Sequence, residues 1–402
     1  MESEKLVLFG AGKVGRSFIA QLFSRSGFQV VLVDVDETII AALNVHRKYQ
    51  VIIKSDDGDE SIWIENVRGV LATDVDRVVQ EIASADMLAT AVGQQVLPKI
   101  APTIAKGLAL RFEKTPDHPL DIILAENLRD AAGVFKKELQ QHLPEIMPPG
   151  WDFSQFVGLV ETSIGKMVPI MPVSMTDKDP LLVYAEAYNT LILDKKAFRN
   201  PVPNVIGLLP KDNMAAWVDR KSFIHNLGHA AAVYCGFAAY PKLTYLHELM
   251  AQPDIYETTR ATMVEAANVL MKHHEGEFTY EEIVAHIDDL LFRFSNKALG
   301  DTVYRVGQDL FRKLGPEDRL VGVLKLAIEY RLPFHNILFA IVCAMEFMAV
   351  DEHGQRTKSD VQFTIEARRG ISHILETVCD LSVKDYFEIH DKARGLYARD
   401  LK

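Results

Sequence analysis

The chain has 402 residues, 48% of them apolar, and a formal net charge of −11. That length suits two domains or one large one, and so apolar a composition excludes a disordered chain. The acidic excess argues against a nucleic-acid binder, which would carry a basic surplus, and is read as solubility.

Leu6–Phe9 follows the short polar lead Met1–Lys5 and reads as a strand. It is too short for the core of a signal peptide, and no run of about 18 uninterrupted apolar residues occurs, so a cytoplasmic location with no membrane partner is expected. Directly after it stands Gly10-Ala11-Gly12-Lys13-Val14-Gly15, a GxGxxG pattern opening the amphipathic stretch Arg16–Ser24, which Gly27 can cap. In such a motif Gly10 permits the tight turn, Gly12 admits a pyrophosphate to the backbone, and Gly15 lets the helix pack on the strand. The free N–H groups at the helix start, around Lys13 and Val14, face the anion.

The next strand, Val30–Val33, ends at Asp34, about 20 residues past the glycines. An acid there can bond the adenosine ribose hydroxyls. Val35 and Asp36 provide no arginine for a 2′-phosphate, so NAD is expected over NADP. Helical patterns at Ile39–Asn44 and Asp76–Ile82 alternate with strand-like runs at Val51–Ile53, Met87–Ala91 and Ile122–Ala125. This alternation predicts an α/β, Rossmann-type doubly wound parallel sheet. Strand ends line the crevice of such sheets, which makes Thr90 and Val92 cofactor candidates and Asn127 a candidate for cofactor or substrate. Phe156–Val160, Leu182–Tyr188 and Thr190–Leu193 could extend the sheet, antiparallel strands included. The Pro- and Asn-rich segment Asn200–Pro210 looks like a linker.

Beyond about residue 210 the pattern turns helical: Asn213–Tyr234, Pro253–His273, Tyr280–Phe294, Pro316–Tyr330, Asn336–Ala349 and Val361–Cys379. We therefore expect an NAD-binding domain with added strands over residues 1–199 and a mostly α-helical substrate and catalytic domain over 200–402. Cys235, Cys343 and Cys379 are far apart with no CxxC pair, so they read as buried free thiols.

Metal-free hydride transfer at an alcohol carbon needs a base for the hydroxyl proton and donors for the developing alkoxide. Lys221, His225, Asn226 and His229 fall within roughly 140° of arc on an ideal helix. Burial beside other cations would bring the lysine toward neutrality and make it a usable base. Gly228 in the same stretch suggests a close approach of some kind. On composition alone, a solvated face or ordinary core histidines would explain this stripe equally well.

Lys221-Ser222-Phe223-Ile224-His225-Asn226-Leu227-Gly228-His229 fits K-x4-N-x2-H, and on it the chain resembles the polyol-specific long-chain dehydrogenase/reductase family. The likeness includes Phe9–Gly15 with Arg16, Ala42-Leu43-Asn44, Tyr49-Gln50-Val51, Thr90–Gly93 and Ile100–Gly107. It continues through Ala125-Glu126-Asn127, Arg305-Val306-Gly307, Arg312-Lys313-Leu314 and Asp318-Arg319-Leu320. The resemblance implies metal-independent catalysis with NAD. Lys221 would be the acid/base, Asn226 and His229 would hold the reacting oxygen, and Asn127 would sit near the reacting centre. It also implies a Rossmann domain followed by a helical one, and interconversion of a hexitol phosphate with a ketose phosphate. One departure stands out: where family members commonly carry Asp-Arg before an Ile-Val-Pro turn, this chain has Gly165-Lys166. Unphosphorylated fructose or a keto-uronate such as tagaturonate or fructuronate therefore stays open as substrate. So does a protein that binds NAD without turnover.

Asn127, Lys166, His225 and Arg305 are the substrate-binding candidates. Arg305 suits a phosphate or carboxylate, whereas Arg312 and Lys313 read as solvated charges. His273-His274-Glu275 and His247-Glu248 have no second pair at ligand spacing and read as surface helix positions, so no metal is expected. No interface stripe decides between a monomer and a homodimer.

Overall fold

The computed structural model describes residues 3–148, 151–169, 171, 175 and 177–400. The chain divides into two compact units, Met1–Val218 and Asp219–Lys402.

The strands of the first unit are β1 (Lys5–Phe9), β2 (Gln29–Asp34), β3 (Tyr49–Ile53), β4 (Glu60–Ile64), β5 (Val67–Leu71), β6 (Met87–Thr90), β7 (Leu120–Leu124), β8 (Val157–Ile164), β9 (Val183–Ala185), β10 (Leu191–Asp194) and β11 (Leu208–Lys211). Eight of them form one sheet in the order β11-β10-β8-β7-β6-β1-β2-β5. From β5 to β8 all pairs are parallel, while β10 runs antiparallel to β8. Side chains alternate between two cores. Leu6, Leu8, Val30 and Leu32 enter one, and Val7, Phe9, Val31 and Val33 the other. Both faces are covered, which is why these strands are unbroken apolar runs.

Two expectations need correction. Val51–Ile53 does not join the parallel sheet: β3 pairs with β4 and β9 in a separate three-stranded sheet. The third parallel neighbour on that side is β5, whose Arg68 and Gly69 interrupt the apolar pattern. Arg68 is held by Glu81, and Gly69 makes room for Ile40. Segment 200–210 is no free linker. The fully buried Asp121 accepts the backbone N–H groups of Arg199 (2.7 Å) and Asn200 (3.0 Å), and β11 then joins the sheet edge. The two compact units are divided in the chain between Val218 and Asp219.

The second unit is helical. Pro253–His273 and Tyr280–Phe294 have the expected bounds, and the latter opens with a Thr279–Glu282 capping box. Val361–Cys379 is two helices, Lys358–Ala367 and Ile371–Thr377, separated by Gly370 at φ +101°. The helix Leu227–Ala239 is buried without interruption from Ala230 to Gly236, and Tyr234 inside it donates to the carbonyl of Gly307 (3.0 Å). All three cysteines are buried and free.

Candidate active site

The first unit holds the cofactor candidates. Sheet order reverses at β1, with β2 on one side and β6 on the other, and open α/β sheets take ligands at such a switch point. Gly10 lies at φ +102°, and a Cβ there would come within 2.4 Å of the Ala91 carbonyl oxygen, so the loops after β1 and β6 lie side by side. A Cβ at Gly15 would fall 2.0 Å from the Gly10 carbonyl oxygen, the close helix–strand contact the motif requires. At Gly12 a Cβ would meet nothing within 4 Å: the turn is open where a diphosphate would lie. Lys13 is exposed beside it and Val14 half-buried.

Asp34 accepts the Ala11 N–H (2.6 Å) and the Asp36 N–H (3.1 Å), bracing the glycine loop. A carboxylate has about four acceptor positions, so room remains for ribose hydroxyls.

Two residues absent from the expected set shape this crevice. Arg16 is buried and donates to the Ala11 carbonyl (2.7 Å), holding the glycine loop from behind. Glu126 is buried and accepts from the N–H groups of Val92 (3.0 Å) and Gly93 (2.8 Å), which fixes the loop after β6. Its signal in the sequence was a carboxylate directly after the apolar run of β7. Thr90 is fully buried, so that strand reaches the crevice through the backbone of Val92 and Gly93 rather than through its hydroxyl. Asn127 is exposed just beyond Glu126. Lys166 is buried, donates to Asn189 Oδ1 (2.9 Å) and lies over the Phe18 ring.

The second unit brings together the lysine and histidine candidates. Met214–Arg220 leads into a π-helical turn, Lys221–Asn226, and then into Leu227–Ala239. Leu227 N–H bonds the carbonyl of Ser222, five residues back, so the even 100° stepping of an ideal helix does not hold here. Such π turns recur at functional sites.

Lys221 is pushed down to about 8 by burial first and by the neighbouring Arg319 next, with Asp318 opposing. His225 and His229 are held well below the usual imidazole range. Burial is the main cause for both, followed by His229 for His225 and by Arg319 for His229. Both are neutral near pH 7 and act as hydrogen-bonding groups, not cations. The His229 ring stacks on Phe294 (centroids 4.0 Å) and lies 5.0 Å from that of His225. Its Nε2 is buried and has no hydrogen-bond partner among the described residues. A buried, oriented and unanswered imidazole nitrogen is a place for a ligand oxygen.

Gly228 has a packing reason. A Cβ there would come within 2.7 Å of Met263 Sδ and 3.1 Å of Phe294 Cε2.

Arg319, which stands in the sequence only within the family likeness, bears electrostatically on both Lys221 and His229. It is buried, pairs with Asp318 (2.7 Å) and donates to the Asn226 carbonyl (3.5 Å). Arg305 is exposed and ion-paired with the buried Asp301, and its charge reaches His229. Arg312 is solvated as expected, paired with Asp309 and Asp318. Lys313 is not: it is buried against the Val306 carbonyl and brought down to about 7 by burial and then Arg319.

A dinucleotide cradle in one unit and a depressed lysine with neutral histidines in the other define the oxidoreductase class. The chain belongs to the mannitol dehydrogenase family: residues 4–207 match its Rossmann domain and 213–388 its C-terminal domain. The fold is that of two solved polyol dehydrogenases. D-sorbitol dehydrogenase in substrate-free form superimposes with a TM-score of 0.80 at 15% identity, over 99% of this chain and 93% of that one. The Pseudomonas fluorescens mannitol 2-dehydrogenase, in a ternary complex with NAD and D-mannitol, gives 0.72 at 15% identity, over 99% and 92%. No helix among the described residues is long and apolar enough to cross a membrane.

Proposed function

We propose that the chain is an NAD-dependent, mannitol-1-phosphate 5-dehydrogenase-like enzyme that interconverts mannitol 1-phosphate and fructose 6-phosphate. The observation that carries this reading is the Lys221–Asn226–His229 set, with its depressed lysine and its buried, unanswered His229 Nε2. The open turn at Gly12 and the acid at Asp34 suit NAD, which supplies the hydride acceptor when bound.

In oxidation, neutral Lys221 Nζ takes the hydroxyl proton as the C–H hydride leaves and the carbonyl forms. In reduction, the ammonium returns that proton to the alkoxide. Asn226 and His229 hold the reacting oxygen, an arrangement that stabilises the developing charge without metal. His225 packs against His229 and keeps its ring in place. Asn127 and Lys166 are the first unit's candidates for contacts to substrate hydroxyls, and Asn127 also for contact with the cofactor. Arg305 is the candidate for the phosphate.

A second reading has an observation of its own. Asp301 already neutralises Arg305, which weakens the case for an anion clamp and favours uncharged fructose. The test follows NADH consumption with fructose 6-phosphate, fructose and tagaturonate, in the wild type and in Lys221→Ala. Turnover confined to the phosphate is the expected outcome, with a loss of about 10²–10⁴-fold in the variant and NADH binding retained. Turnover with fructose or the uronate instead would reject the substrate and keep the catalytic assignment. Full activity in Lys221→Ala would reject that assignment, and NADH binding without turnover on any ketone would favour a sensing role.

A further inference from the structure

Asp219 stands in the turn before Lys221, and its side chain is only 8% exposed. Two adjacent histidines at the far end of Pro253–His273 converge on it. His274 Nε2 lies 2.9 Å from Asp219 Oδ2 and His273 Nε2 lies 4.0 Å from the same oxygen. The three ligand atoms are all within 4.8 Å of one another. Consecutive residues of a regular helix point about 100° apart and would not share a partner. Here His274 has left the helix (φ −117°, ψ 62°), and the two rings meet edge to face with centroids 4.5 Å apart.

His273 has a second tie. Its Nδ1 lies 2.7 Å from the Tyr330 hydroxyl. In the tautomer whose Nδ1–H donates to the phenol, Nε2 is an acceptor 4.0 Å from the carboxylate oxygen. A hydrogen bond from His274 alone would account for one imidazole; the second, held by its other nitrogen in the manner of a metal-bound histidine, is what a cation between them explains.

We propose that Asp219, His273 and His274 form a site for one divalent transition-metal ion of the zinc type. Two imidazoles and one carboxylate suit zinc or cobalt and not the oxygen-seeking magnesium or calcium. His273 is the solvent-side ligand, 33% exposed, so the fourth position belongs to water. The metal pins the end of Pro253–His273 to the turn that leads into the catalytic π segment. It is structural and takes no part in hydride transfer. The sequence concealed it because the third ligand lies 55 positions from His274.

Untagged protein is stripped with a chelator and titrated with cobalt(II), followed by its visible absorption, and with zinc, followed by calorimetry and by Tm. The expected result is one ion per chain, a four-coordinate cobalt spectrum and a higher Tm with zinc. His273→Gln, at the exposed rim, should lose the spectrum while remaining folded, as should Asp219→Asn. Tyr330→Phe should weaken binding about tenfold or more through the orientation of His273. Absence of stoichiometric binding by the wild type would overturn the site. An unchanged spectrum in His273→Gln would do the same by placing the metal elsewhere.

Discussion

Lys221 is proposed as the acid/base on the ground that burial and the Arg319 guanidinium bring its proton within reach of neutral pH. Oxidation needs the neutral amine, so its rate should climb with pH and level off above about 8. Reduction needs the ammonium and should fall over the same range. Arg319→Gln removes a cation that lowers the lysine, so the midpoint of both limbs should move to higher pH. Profiles of kcat/KM for both directions check this, and coincident midpoints in wild type and variant would show that Arg319 does not set the base. Asp34 braces the Ala11 N–H, and the proposed function also gives it the ribose. Asp34→Ala should weaken NADH binding and narrow the margin over NADPH. An unchanged preference, measured as the ratio of the two dissociation constants, would assign discrimination elsewhere.

At the level of elements, the sequence made legible whatever has a short period. Buried parallel strands appear as apolar runs, and the glycine fingerprint sits between β1 and its helix as the motif demands. What it hid depends on contacts far along the chain. β5 was obscured by Arg68, whose partner Glu81 lies 13 residues on, and the role of segment 199–200 by Asp121, 78 residues before it. Leu97–Lys114 is hard to read as a helix from sequence because Pro102 stands inside it. The Lys221–His229 stripe was visible, but its π turn and the positions of Arg319 and Lys313 were not, since no local pattern encodes them. Gly228 shows how an element serves the site: the missing methyl lets Phe294 lie against His229. In Gly228→Ala the methyl must displace Met263 and Phe294. Overpacking of about 1–3 kcal/mol then exceeds the gain of roughly 1 kcal/mol in helix propensity. Tm should fall by a few degrees and kcat should drop more than NADH affinity. A variant with wild-type Tm and kcat would show that the contact is not limiting.

Across the whole molecule, the second unit carries three imidazoles that its interior keeps neutral: His225, His229 and His286. Burial is the leading cause for each. Their folded pKa values lie below the unfolded value, so the unfolded chain binds more protons as pH falls through about 6.5. Stability is therefore lost toward acid, by up to about 1.4 kcal/mol per pH unit for each histidine. Lys221 and Lys313 continue the same slope on the alkaline side. Their folded values of about 8 and about 7 lie below the unfolded lysine value, so the folded chain sheds these protons first and gains stability as pH rises through that interval. The depressed carboxyl of Asp318 acts in the same sense at lower pH. The ligand-free chain should thus be most stable on the alkaline side of neutrality, although its net charge is negative there. Urea midpoints measured from about pH 5 to 9 should rise throughout. His286→Gln, which leaves the His225–His229 pair intact, should remove about a third of the slope between pH 5.5 and 6.5. A flat profile over that acid interval would mean that the buried imidazoles take up protons in place, and it would remove the basis for treating His229 as a neutral partner of the reacting oxygen.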